Sequence, residues 1–278
     1  MASTDRDASY EHLHLSRALD GRVVGLRFEH GKANEVGSGV LGEIERLAQE
    51  LEEDPRAVAL ITWSERASKR GTPIFVAGAD VTERVGWPDD RIKQHVRWQR
   101  QVLARLGSAP VFHIVVVNGV ALGWGTEYLL TGDYAIACDD AVFGLPETGL
   151  GILPGAGGTT ELQLRVGPSH ALRLGMTGER IDADEACRIG LVQERASTVA
   201  AARERAMTLA GLVAKRSPSA LKAFKTALQK SRGMSQEKRH ELEARAYERC
   251  VDLGEAAIGR ENFDASRRGE AMPWGPKR

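Results

Sequence analysis

Residues 111–133, VFHIVVVNGVALGWGTEYLLTGD, decide how the rest of the chain is read. The run 111–117 is dense in β-branched side chains and reads as a buried strand. It enters Asn118-Gly119, and then Gly123 and Gly125 bracket Trp124. Glycines crowded at a strand-to-helix junction clear room for another backbone or a ligand to come close. Two residues do not fit a plain junction. Trp124 puts the largest side chain between two of the smallest, and Glu127 puts a carboxylate one turn inside a mostly apolar segment.

The flanking chain repeats the alternation. RVVGLRF (22–28), AVALITW (57–63) and IFVAGAD (74–80) read as strands, with shorter runs at YAIAC and AVFG. Val40, Leu41, Ile44, Leu47 and Leu51 have helical spacing over 40–53, as do Ile92, Val96, Val102, Leu103 and Leu106 over 90–106. Further helical patterns fall near 159–165, 169–176 and 183–189. Strands alternating with helices predict an α/β core over residues 21–197, after a polar N-terminal arm at 1–20. Residues 198–278 read as a helical region, in which Ser217-Pro218 has the form of an N-cap with proline at the first helical position. Its SQEKRHELEARAYERCVDL segment is charged on most faces, as expected of a helix that covers a neighbour or another subunit.

Lys+Arg and Asp+Glu both number 38, so the net charge is zero. That argues against a nucleic acid or an anionic membrane as the main partner. Cys138, Cys187 and Cys250 are far apart, with no CxxC or Cys/His cluster, which predicts neither a disulfide framework nor a metal site. The first residues lack the apolar core of a secretory signal, and no apolar run is long enough to span a bilayer. A cytoplasmic location is the resulting expectation.

The loop GILPGAGGTT (151–160) invites comparison with phosphate-binding loops, but it has neither the lysine of a Walker loop nor the GxGxxG spacing. The plainer reading is a tight turn that lets a helix pack closely. His113, inside an apolar strand, reads as a hydrogen-bonded core residue rather than a catalyst. No GxSxG or HExxH pattern occurs. Two acids remain. Glu127 opens a helix at a glycine-rich junction, and Glu147 follows FGLP at another strand end. Either one alone would be an ordinary helix-terminus charge. Two of them, twenty residues apart with a strand between, suit acid/base chemistry beside exposed backbone N–H groups.

FVAGAD, VNGVALGWGTE, FGLPETGLGILPGAGGT and TGERIDADEACRIGLVQ occur in the order and spacing of the crotonase superfamily, the enoyl-CoA hydratases and isomerases. The chain resembles that family over roughly residues 22–230. The resemblance implies a spiral of β-β-α units with a C-terminal helical oligomerisation region that builds homotrimers or homohexamers. It implies an acyl-CoA substrate, with coenzyme A as part of the substrate and no separate cofactor. The family's two oxyanion-hole N–H groups fall on Ala79 and Trp124. Glycine is usual at the second position, so the indole is expected to wall the acyl pocket and bear on substrate choice. Glu127 and Glu147 match the two glutamates of true hydratases, the first orienting and deprotonating water, the second protonating Cα. GKAN (31–34) resembles the segment that meets CoA, through Lys32 and Ala33, with Ala77 and Asp80 flanking the AGAD turn. The family's lysine two residues after GAD is Thr82 here, so Arg84 or Lys32 would take its role. Phe263 and Arg267 are the loosest matches, to the tail that closes the CoA site. Hydration is the leading reading. Double-bond isomerisation, C–C hydrolysis or decarboxylation on a specialised substrate, and RNA binding, are the alternatives within the family.

Overall fold

A computed structural model of the chain describes residues 10–278. The first strand, β1 (Leu13–Ala18), lies inside the expected polar arm. It pairs antiparallel with β2 (Val23–Phe28). The polar residues His14, Ser16 and Arg17 hid it, yet Leu13 is fully buried and Leu15 packs against the core. Residues 1–9 of that arm lie outside the described residues.

From β2 onward the chain climbs by repeated β-β-α steps. The helix α1 (Ser38–Glu53) is followed by β3 (Ala59–Ser64) and β4 (Ile74–Val76). A short 3₁₀ turn (Thr82–Arg84) then leads into α2 (Asp89–Ser108). The next step is β5 (Phe112–Val117), β6 (Val120–Leu122) and α3 (Trp124–Leu129). The third is β7 (Tyr134–Cys138), β8 (Val142–Gly144), a 3₁₀ turn (Pro146–Leu150) and α4 (Leu162–Thr177). In each step the first strand joins one sheet and the second strand the other. The larger sheet has the order β1-β2-β3-β5-β7-β10 and the smaller β4-β6-β8-β9, with β9 at Ile181–Asp182 and β10 at Glu194–Ala196. Pairing is parallel except at β1–β2 and β8–β9. This is the crotonase spiral that the resemblance implies. α4 breaks at Gly167-Pro168, where Gly167 has φ 77°, so the two helical patterns near 159–165 and 169–176 become the two arms of one kinked element.

After α5 (Ala183–Arg188) and β10 the chain is helical: α6 (Val199–Ala214), α7 (Pro218–Lys230), α8 (Gln236–Asp252), α9 (Glu255–Glu261) and α10 (Phe263–Arg267). The expected boundary at 198 does not separate these from the core. Ala202, Ala206 and Ala210 on α6 are fully buried against Val23, Ala59, Ile61, Ile114, Val116 and Ile136 of the larger sheet. Small side chains at i, i+4 and i+8 let the helix backbone lie close on the β surface. The chain end also returns to the core. The Lys277 ammonium is buried and donates to the carbonyls of Leu51 and Ala57 at 2.8 and 3.1 Å. Among the described residues no helix is long and apolar enough to cross a membrane.

Candidate active site

The junctions β4→3₁₀ turn and β6→α3 meet at one point. An added Cβ on Gly125 would lie 2.1 Å from the carbonyl oxygen of Val76, so only glycine lets α3 start against the end of β4. Beyond Val76 the chain leaves the sheet. The Ala77 N–H donates to Ala33 O at 3.1 Å, the Val36 N–H to Gly78 O at 3.0 Å, and the Asp80 N–H to Val36 O at 2.9 Å. In this parallel bridge between Val36 and Ala79, Val36 uses the groups flanking Ala79, so the Ala79 N–H is turned away from it. Trp124 is the first residue of α3, where a backbone N–H has no partner within the helix. Neither N–H has an acceptor among the described residues.

Both glutamates come to this junction. Glu127 lies one turn into α3 and is 4% exposed. Its Oε1 accepts the N–H groups of Ala156 (2.7 Å) and Gly158 (2.9 Å). The loop that invited a phosphate reading therefore cradles a carboxylate of the chain itself. Burial raises the pKa of Glu127 above the usual carboxylate range, and the two N–H donors and Arg100 oppose that rise. Arg100, on α2, also donates to Gly155 O at 2.8 Å, which ties the helix to the cradle. Glu127 Oε2 carries no protein hydrogen bond among the described residues. Glu147, in the second 3₁₀ turn, is set against Gly123. A Cβ there would come 2.7 Å from Glu147 Oε1, and the φ of 52° at Gly123 also favours glycine. Glu147 Oε2 is buried without a partner. Burial, reinforced by the negative charge of Glu127, pushes the Glu147 pKa up to about 7.

Trp124 does not stand open as a pocket wall. Its indole is 2% exposed and packs in the main core, 5.5 Å from the Tyr128 ring and tilted by 34°. Its Nε1–H is buried without an acceptor. His113 is the core residue expected. Its Nε2 lies 2.9 Å from Thr62 Oγ1, which in turn meets the Tyr128 hydroxyl at 3.0 Å. Full burial drives the imidazole pKa down to about 3, so it is neutral.

The residues assigned to CoA fall into three groups. Lys32 and Ala33 lie on a loop pinned by Asn34, whose amide donates to Ser64 Oγ and Phe75 O. The Ala77–Ala33 bond brings this loop beside Ala77, Ala79 and Asp80. Arg66, which the sequence reading passed over, donates to Lys32 O at 3.4 Å and puts a second cation at this edge. The Asp80 carboxylate accepts the N–H and hydroxyl of Thr82, closing the turn where a lysine was the family expectation. Arg84, which ends that 3₁₀ turn, lies within electrostatic range of Glu83 and Asp80 and of His95 on α2, whose pKa it helps to lower. Phe263 and Arg267 lie exposed on α10. No hydrogen bond or ion pair joins them to these loops among the described residues. The missed participants, Arg66, Arg100 and the N–H groups of Ala156 and Gly158, act through backbone geometry or across long sequence separations. The only signal for them was the glycine loop.

The enoyl-CoA hydratase/isomerase family profile matches residues 23–269. YngF of Bacillus subtilis strain 168, which carries the name enoyl-CoA hydratase/isomerase, is 34% identical over 238 residues, 85% of this chain and 88% of that protein. The crystal structure of an enoyl-CoA hydratase from Bacillus anthracis superposes with a TM-score of 0.86 at 29% identity, covering 95% of this chain and 99% of that one. Pseudomonas aeruginosa DspI gives 0.84 at 30%, covering 97% and 100%.

Proposed function

Because this chain belongs to the enoyl-CoA hydratase/isomerase family, we propose that it adds water reversibly across the double bond of a 2-enoyl-CoA thioester. The observation that carries the reading is the pairing of two unlike carboxyls at one junction. Glu127 has one oxygen clamped by two N–H groups and the other open. Glu147 holds its proton up to near-neutral pH. An isomerase needs one group that moves a proton between two carbons. Hydration uses two groups, one to activate water and one to serve Cα.

The thioester carbonyl oxygen sits between the N–H groups of Ala79 and Trp124. They polarise the conjugated system, make Cβ electrophilic and hold the enolate charge as it develops. One such donor is worth roughly 3–4 kcal/mol in the transition state. Water bound to the open Oε2 of Glu127 gives its proton to that carboxylate as its oxygen bonds to Cβ. Glu147 delivers a proton to Cα, and the thioester is restored. The new C–O and C–H bonds account for one water, and a proton passing from Glu127 to Glu147 resets the pair. The Oε1 cradle keeps Glu127 from rotating, so its free oxygen faces one direction. The loops around Lys32, Ala33, Ala77 and Asp80, with Arg66, form the edge for the CoA moiety, which enters and leaves as part of the thioester.

Loss of the conjugated enoyl-thioester absorbance, measured across acyl-CoAs of different length with product identification, tests this. The expected product is a 3-hydroxyacyl-CoA. A shifted double bond with no oxygen added would replace hydration by isomerisation. Release of free CoA or CO₂ would indicate hydrolytic or decarboxylating chemistry.

A further inference from the structure

The loop that holds Glu127 Oε1 is itself held from the other side. The Ala156 N–H donates to the carboxylate at 2.7 Å. The carbonyl of the same peptide unit belongs to Gly155, and it accepts the Arg100 Nε–H at 2.8 Å. The peptide is trans, so its C=O and N–H lie in one plane and point to opposite sides. A single peptide plane therefore stands between a guanidinium and the proposed general base. Its oxygen end meets the cation and its N–H end meets the carboxylate, so each hydrogen bond polarises the peptide in the sense that strengthens the other.

That peptide needs a lock. A Cβ on Gly155 would lie 2.8 Å from Val96 Cγ1, one turn before Arg100 on α2, so the close approach of the helix requires glycine there. Glycine imposes little torsional preference of its own, and a turned peptide would aim the Ala156 N–H away from Glu127. The rest of the loop closes on itself. Thr159 Oγ1 donates to Pro154 O at 2.9 Å, and the Glu161 N–H to Gly157 O at 2.8 Å. Among the described residues nothing but Arg100 donates to the Gly155 carbonyl.

Arg100 lines one cleft with Glu127, Ala156 and Gly157. The other charged groups of that cleft are engaged with one another or with the backbone. Lys225 pairs with Asp133 at 2.7 Å and Arg232 with Glu161 at 3.2 Å. Arg165 donates to Gly132 O and Gln193 Oε1. Arg100 has no ion pair among the described residues, and it opposes the rise that burial causes in the Glu127 pKa. Glu147, the other carboxyl of the site, works against ionisation of Glu127 by like charge. Arg100 is exposed, so its bare charge is screened by solvent, and the hydrogen-bonded peptide carries its influence inward. We propose that Arg100 is a positioning residue of the hydration reaction, fixing the direction of Glu127 and favouring its ionised form through the Gly155–Ala156 peptide. This rests on the hydration reading above and adds the residue that readies its base.

The test is the pH profile of kcat/KM for 2-enoyl-CoA hydration in wild type, Arg100→Met, Arg100→Lys and Arg97→Met. Glu127 must be ionised to take a proton from water, so the rate falls as pH drops through its pKa. Without Arg100 that pKa rises, and the acid limb should move to higher pH while the alkaline limb of Glu147 stays in place. At neutral pH kcat should fall about tenfold or more, within the ~10²-fold that a 1 Å misplacement costs, with KM nearly unchanged. Arg100→Lys should recover part of both effects. Arg97→Met, at an exposed position of the same helix, removes the same charge and should match wild type. An acid limb that stays put in Arg100→Met overturns the proposal, as does an equal shift in Arg97→Met, which would reduce the effect to surface charge. Arg100→Gln, uncharged but polar, is held to the same criterion if Arg100→Met does not fold. Infrared titration of the Glu127 carboxylate band, taken as the difference from Glu127→Gln, follows the group without turnover. If wild type hydrates no enoyl-CoA, the hydration reading falls, and a Glu127 band that titrates alike with and without Arg100 overturns the positioning role as well.

Discussion

Glu127 and Glu147 differ by what surrounds each oxygen, and the difference predicts separate phenotypes. Glu127→Gln keeps an acceptor for the Ala156 and Gly158 N–H groups but cannot take a proton from water. Glu147→Gln cannot give one to Cα. Each is expected to lower kcat for hydration ~10²–10⁴-fold, the usual worth of a positioned acid or base, while CoA-thioester binding changes little. Near-normal turnover in either variant removes that residue from the mechanism. The pH dependence follows from Glu147. Its carboxyl is protonated below about 7, so kcat/KM for hydration should fall as pH rises through that value, and a Glu147→Gln variant should lose that limb. Stability moves in the same direction. Because the folded pKa is raised above the unfolded one, wild type loses stability as pH climbs from about 4.5 through about 7. Thermal unfolding of Glu147→Gln should therefore gain on wild type above pH 7 and not below pH 4.5. Both glutamates were legible in the sequence, since a carboxylate amid apolar and glycine-rich residues has few structural uses. The side-chain donors were not. Whether a tryptophan or an arginine finds an acceptor depends on residues far away in sequence, and the indole of Trp124, expected at a pocket wall, is buried in the core.

The same contrast holds for whole elements. The β-β-α order could be read because fully buried strands such as FHIVVV and helices with a regular apolar stripe each announce their period. Two elements escaped. β1 has one fully buried residue and several polar ones facing outward, so its pattern was too thin to distinguish from an arm. α6 lacks large apolar side chains at its contact, and alanine carries almost no periodic hydrophobic signal. Yet α6 covers the larger sheet. Ala206→Leu should therefore behave as overpacking of a core and cost about 1–3 kcal/mol, seen as a lower midpoint of urea unfolding. An unchanged midpoint would mean that α6 is a detachable appendage. Gly125→Ala tests the other close approach. The added methyl would have to displace Val76 O or the start of α3. Hydration should drop by roughly 10²-fold, since a displacement of about 1 Å is enough to misplace reacting groups. A fully active Gly125→Ala enzyme would show that the α3 start need not lie where it does.

At the scale of the whole molecule, what remains uncovered is informative. Leu150, Ile152 and Leu153 follow Glu147 directly and are 71%, 58% and 57% exposed. Leu172 and Met176 continue the patch along the second arm of α4 at 60% and 73%. They are one turn apart and share a helix face. Phe224, Leu228 and Tyr247 are similarly open on α7 and α8. Scattered surface leucines are ordinary, but a run of large apolar side chains beginning at a proposed catalytic residue is the kind of surface through which subunits pack. Phe263 and Arg267 on α10 are likewise exposed. The chain is therefore expected to sediment as a trimer or hexamer at micromolar concentration. Leu172→Glu combined with Met176→Glu should shift it toward monomer, because paired charges on a buried apolar patch cost several kcal/mol of association. Activity should fall with the assembly as the segment around Glu147 loses its support. Should wild type sediment as a monomer and still turn over substrate, the apolar patch serves some other contact, and each chain carries its complete site alone.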